Sequence, residues 1–192
     1  MNHYFLVASL PMLQFGEKPP IRLADFLSAC GAALAEGEMA VLRDLLERDG
    51  EAESHPFSRA WRDRETELRN AVARLRARPL QINPEPWLRP HAGARVYIQT
   101  GVAEAFQAAD PLQRERALDR LRWRILEDLA GLEPFSLEAV FSYALRLRLL
   151  WRWAGYQEAE GAAALDRAVG EAAATATGKT ILEDKTQKAE TV

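Results

Sequence analysis

The stretch from Leu137 to Trp153, LEAVFSYALRLRLLWRW, carries more apolar surface than a helix lying on the outside of a fold can use. Leu137, Val140, Phe141, Ala144, Leu147 and Trp151 recur at helical spacing and form one stripe. Leu145, Leu149, Leu150 and Trp153 add apolar positions beyond it. A helix that is apolar on more than one face is covered from more than one side. The rest of the chain has to supply those neighbours.

Helical patterns are what the rest of the chain offers. In IRLADFLSACGAAL, Leu23, Phe26, Leu27, Cys30 and Leu34 share a face; in EMAVLRDLLER, Met39, Leu42, Leu45 and Leu46 do, and Asp49-Gly50 closes this hairpin. A third helix has Trp61, Leu68, Val72 and Leu75 on a narrow stripe. Asp110-Pro111 opens a fourth, since Asp caps free N–H groups and Pro fits the first turn. Its inward positions are Leu118, Leu121, Ile125, Leu129 and Leu132, with Pro134 stopping it and Ser136 capping the next. The principal helices are expected near residues 22–34, 38–48, 58–78, 111–132 and 136–154, with an alanine-rich helix around 158–174. The predicted fold is all-α, a single-domain irregular bundle of about five to six helices over residues 1–174, with a disordered tail at 175–192.

Two segments do not fit that scheme. The opening run Tyr4 to Leu13, YFLVASLPML, lacks the basic flank of a secretory signal and the length of a membrane span. It reads as buried core, extended or as one helical turn, with Phe5, Leu6, Val7 and Leu10 against the helix of Leu137 to Trp151. The stretch PLQINPEPWLRPHAG holds Pro79, Pro84, Pro86 and Pro90, which exclude a regular helix. An extended crossing pinned by Ile82, Trp87 and Leu88 is expected, followed by a short strand in ARVYIQT.

Charge and chemistry narrow the function. The formal charge of -3 exerts no whole-protein pull on nucleic acid or anionic lipid. From Glu36 to Glu53 seven acids face two arginines, whereas Ser58 to Arg78 has seven arginines against three acids. The basic helix reads mainly as a solvated face with arginine–carboxylate pairs. The single cysteine, Cys30, lies on an apolar stripe and reads as a buried thiol. His3, His55 and His91 lack the spacing of metal ligands. Ala173 to Thr180 matches a relaxed phosphate-binding loop, but an alanine-rich helix precedes it where a strand is needed. No catalytic residue, cofactor or metal is expected, and the chain does not read as an enzyme.

The opening NHYFLVASLPMLQFGEKPPIRLADFL and the late PFSLEAVFSYALRLRLLWRW together resemble an uncharacterised bacterial helical family encoded among subunits of V/A-type rotary ATPases. The order between them also matches: an acidic hairpin, a capped helix from Asp110-Pro111, then a tyrosine-bearing helix ending in Arg-Trp. More distantly, Ser142-Tyr143-Ala144 onward is similar to part of that machine's central-stalk socket, the all-helical component joining the central shaft to the rotor ring. This chain is far shorter and lacks three evident repeats.

The resemblance implies a non-catalytic component or assembly factor of a proton- or sodium-transporting V-type ATPase. Its partners would be subunits of the central stalk or rotor ring. It would be cytoplasmic, peripheral at the inner membrane only through the complex, with no nucleic acid bound. Leu145, Leu149 and Trp153 lie on a shifted line that is expected to be covered within the domain. An open apolar docking patch, if there is one, is expected on this helix or on Trp87 and Leu88 of the crossing. The alternative is a nucleic-acid-binding or general scaffold protein using the Arg-rich helix 59–78.

Overall fold

Asp110 opens its helix as its side chain allows: the carboxylate accepts from the N–H groups of Leu112 (3.0 Å) and Gln113 (3.4 Å). Ser136 does the same one helix later, its hydroxyl accepting from Ala139 N–H at 3.1 Å. The computed structural model, which describes residues 3–52 and 55–155, contains α1 (Tyr4–Ser9), α2 (Leu23–Ala33), α3 (Glu36–Arg48), α4 (Pro56–Leu80), α5 (Val96–Ala105), α6 (Pro111–Ala130) and α7 (Leu137–Ala154). One 3₁₀ turn, Glu85–Trp87, interrupts the crossing, and no strand occurs among the described residues. The protein is an irregular all-α bundle.

The chain divides into two compact units, Met1–Trp151 and Arg152–Val192. The described part of the second is the last turn of α7, where the Arg152 guanidinium lies 5.7 Å from the ring centre of Trp153. The alanine-rich segment, the tail and the Ala173–Thr180 motif lie outside the described residues.

In the first unit α7 is central, as its two-sided apolar pattern requires. Val140, Phe141, Ala144, Leu145, Leu147, Leu149 and Leu150 are all buried. Phe141 meets Phe57 of α4, Tyr143 stacks on Phe26 of α2, and the Ser142 hydroxyl donates to Leu126 O of α6 at 2.7 Å. Arg148 reaches the C-terminus of α3, donating to the carbonyls of Leu45 (3.1 Å) and Leu46 (2.8 Å) and to the Asp49 carboxylate. Those carbonyls have no partner within their helix, and a cation there also faces the negative end of its dipole.

Four expectations are corrected. ARVYIQT is the start of α5, not a strand, because its apolar periodicity runs past Thr100: Ile98, Val102 and Ala105 bury one helical face. Gly101 lets α5 approach α6 closely, since a Cβ there would lie 2.9 Å from Leu121 Cδ1. The opening run forms α1, which can bury only one face. Leu6 is in the core and Val7 and Leu10 pack at its edge, but Phe5 points outward and is 88% exposed.

Leu132 is likewise not inward but 99% exposed, because α6 ends at Ala130 and Gly131 takes φ +72°. Finally, α4 continues two residues past Arg78. Pro79 loses a single late hydrogen bond, and the helix closes with Gln81 in the left-handed region and Ile82 N–H donating to Ala77 O at 3.3 Å.

Candidate functional site

The polar face of α4 is not merely solvated. Asp63, Glu67 and Asn70 stand four and three residues apart, so they line one side of the helix. Asp63 Oδ1 accepts from Ala92 N–H at 2.8 Å, and Glu67 Oε1 accepts from Arg95 N–H. Asn70 takes both backbone groups of Arg89, donating to its carbonyl at 2.7 Å and accepting from its N–H at 3.0 Å. A proline-rich segment cannot satisfy its own backbone in regular structure, and α4 does it instead. Glu67 and Asn70 are buried in consequence.

Anchored there, the crossing brings Trp87 back beside the C-terminal half of α4. The 3₁₀ turn that carries it is preceded by Asn83, whose Oδ1 accepts from Glu85 N–H at 3.1 Å. Between α4, the crossing and α6 lies an open groove of about 540 Å³. Leu68, Val72 and Ala77 of α4 and Leu118 of α6, all buried, form its floor, and half-buried Ala73 lies beside them. Exposed apolar side chains form its lip: Leu80 at 66%, Ile82 at 45% and Trp87 at 61%. Arg69, Arg76, Glu115 and Arg122 complete the lining.

The charges differ in how firmly they are held. Arg122 forms a two-pronged pair with Glu65, Nε–Oε2 2.9 Å and Nη2–Oε1 3.0 Å, and a third bond to the fully buried Asp119 at 2.8 Å. Burial alone would lower the Arg122 pKa, but Glu65 and Asp119 more than offset that and raise it. Arg76 and Glu115 face each other loosely at 3.6 Å, with both side chains largely in solvent. Arg69 pairs with Glu65 at 2.7 Å and stays more than half exposed. Elsewhere on α4, Arg64 bonds Glu67 at 3.0 Å and Arg62 donates to Glu51 O at 2.9 Å. Arginine–carboxylate pairing along this helix is therefore extensive.

The expected surface residues separate cleanly. Leu145 and Leu149 lie inside the bundle and present no surface to a partner. Trp153 is half-buried near the end of α7. Trp87 is on the lip of the groove, with half-buried Leu88 next to it in sequence. Leu80 and Arg76 were not singled out from the sequence, although Val72, Arg76 and Leu80 recur every four residues and continue one face of α4 to its end.

Cys30 is fully buried and burial pushes its thiol up to about 12. His55 caps α4, its Nδ1 accepting from Phe57 N–H at 3.1 Å. His3 is buried with Nε2 3.5 Å from Glu38, and His91 belongs to the crossing. Among the described residues no three His, Cys, Asp or Glu side chains gather to hold a metal ion, and no helix is long and apolar enough to cross a membrane.

Residues 95–172 match a family model described as a protein of unknown function (DUF2764), a span that includes α5, α6 and α7. No curated protein and no solved structure compared with the chain matches it.

Proposed function

We propose that this similarity to an uncharacterised family marks a non-catalytic helical docking protein, which acts as a component or assembly factor of a V/A-type rotary ATPase near its central stalk. The observation that carries the docking role is the groove: exposed Leu80, Ile82 and Trp87 converge beside an apolar floor. The choice of machine rests on the resemblance of the opening segment and the α7 segment to the ATPase-associated family. A part that transmits torque or guides assembly needs stiff helices and a defined contact surface, and requires no reaction chemistry. Its place would be cytoplasmic, reaching the membrane only through the complex.

The test is purification of the ATPase from the native host with and without the gene. The chain should travel with stalk or rotor subunits, and its loss should impair assembly or coupled ATP hydrolysis. Intact ATPase lacking the protein, together with unchanged assembly and coupling in the deletion strain, would sink the reading. The nucleic-acid alternative rests on the arginines of α4 and predicts binding that weakens steeply with salt.

A further inference from the structure

The groove also carries a charge pattern. From Leu68 to Leu80, α4 has four arginines and no carboxylate. The facing start of α6, Pro111 to Arg122, has four arginines and two carboxylates, one of which, Asp119, is buried against Arg122. Arg69 and Arg76 stand seven residues apart, so both project from the same side of α4, with half-buried Ala73 between them. Both guanidiniums are more than half exposed, and the partner of Arg76 is the loose Glu115 contact at 3.6 Å. An apolar channel is thus bordered by two exposed cations, Arg76 with a loose partner and Arg69 held by Glu65 at 2.7 Å with donors left over.

We infer that the groove receives an acidic amphipathic helix of a partner protein, laid along the C-terminal half of α4. The length from Arg69 to Leu80 is about 16 Å, or three helical turns. A helix of that length presents apolar anchors at positions i, i+3 or i+4, and i+7, the spacing of helix-in-groove recognition. Its anchors would fill the channel over Val72, Ala73 and Ala77 and meet Trp87 at the lip. Carboxylates flanking those anchors would pair with Arg69 and Arg76. The small Ala73 side chain permits close approach of the two helix backbones. A single-stranded nucleic acid would satisfy the arginines and stack a base on Trp87, but the floor of Leu68, Val72, Ala77 and Leu118 is aliphatic and offers no second ring, and for that reason a protein helix fits better.

This inference rests on the groove being a docking surface, not on which machine supplies the partner. The probes are two fluorescein-labelled helical peptides of roughly 16 residues with the same leucine face, one flanked by Glu and one by Lys. Binding to the full chain is read by anisotropy. The Glu peptide should bind about tenfold more tightly than the Lys peptide or better, a gap of about 1.4 kcal/mol. Ala73→Arg should remove that binding by filling the channel, and Leu80→Asp, at an exposed position, should do so if the first variant melts abnormally. Arg76→Glu should shift preference towards the Lys peptide.

Equal binding of the two peptides, binding of neither, or binding of the Glu peptide untouched by these variants overturns the inference. So does a single-stranded oligonucleotide that binds more tightly than the Glu peptide and is lost with Arg76→Glu. The two readings fail separately. A chain that selects the Glu peptide but is absent from the ATPase overturns the ATPase role alone. Co-purification with the ATPase without peptide selectivity overturns the acidic helix alone.

Discussion

Asn70 of α4 holds both backbone groups of Arg89: its amide donates to the Arg89 carbonyl at 2.7 Å and accepts from the Arg89 N–H at 3.0 Å. One buried side chain thereby does for the proline-rich crossing what a second strand would do for an edge. Because Trp87 lies two residues earlier, the geometry of the groove depends on this pairing. Asn70→Ala should leave two backbone groups without partners and cost about 1–3 kcal/mol. Hydrogen exchange should show faster exchange around residues 82–95 than in α7. Unchanged protection there would mean the crossing is held by other contacts.

Arg122 is the hub of a buried network with Glu65 and Asp119. Replacing it with Met takes the guanidinium from buried Asp119 and leaves Glu65 with Arg69 as its cation, a change worth about 3–5 kcal/mol. A triple replacement, Arg122→Met with Glu65→Gln and Asp119→Asn, should recover much of that loss, since the desolvated charges go together. Thermal melts of the variants decide it; equal damage in the single and triple variants would place the energy in packing.

Neighbouring residues of α1 should respond oppositely to truncation. Leu6→Ala opens a cavity in the core and should cost about 2–5 kcal/mol. Phe5→Ala removes an exposed ring and should change stability by no more than about 0.5 kcal/mol. A large loss from Phe5→Ala would show that the exposed ring contributes to the stability of the isolated chain.

Alkaline pH should destabilise the protein through groups buried in their neutral form. Burial pushes the Tyr143 hydroxyl up to about 12 from 10.0, the opposing pull of Arg146 being weaker, and the Cys30 thiol up to about 12 from 9.0. In each case the folded state keeps its proton where the unfolded state has lost it. The stability these groups contribute is complete below the unfolded pKa and is lost as pH rises towards 12. Tyr143→Phe should flatten the decline between pH 10 and 12, at the cost of the 2.9 Å bond to Pro11 O. Native Cys30 should resist a thiol reagent at pH 8 and react once the chain unfolds; rapid labelling of the native protein would contradict its burial.

Elements whose signals are local were legible in the residues alone. Asp110, Ser136 and the Asp49-Gly50 turn act on backbone groups within a few residues, so the end of α3 and the starts of α6 and α7 follow from short-range chemistry. The stripes Phe26–Cys30–Leu34 and Met39–Leu42–Leu45 were equally clear, because burial of a helical face leaves a period in the residues themselves. The width of the apolar surface on α7 even announced that it would be central. What no local pattern could settle was the use of residues whose partners are distant in the chain.

Packing in three dimensions turned Asp63, Glu67 and Asn70 from a polar face into a clamp, since their partners lie 19 to 29 residues away. It also sorted Leu149, buried, from Trp87, exposed, because both are large and apolar and their sequences do not say which neighbours arrive first. The groove arises in the same way. Leu68, Val72 and Ala77 belong to one helix and Leu118 to another, and the lip is completed by a segment that α4 itself holds in place. A surface of that kind is a property of three elements meeting, and its shape is fixed by packing rather than by any one stretch of residues.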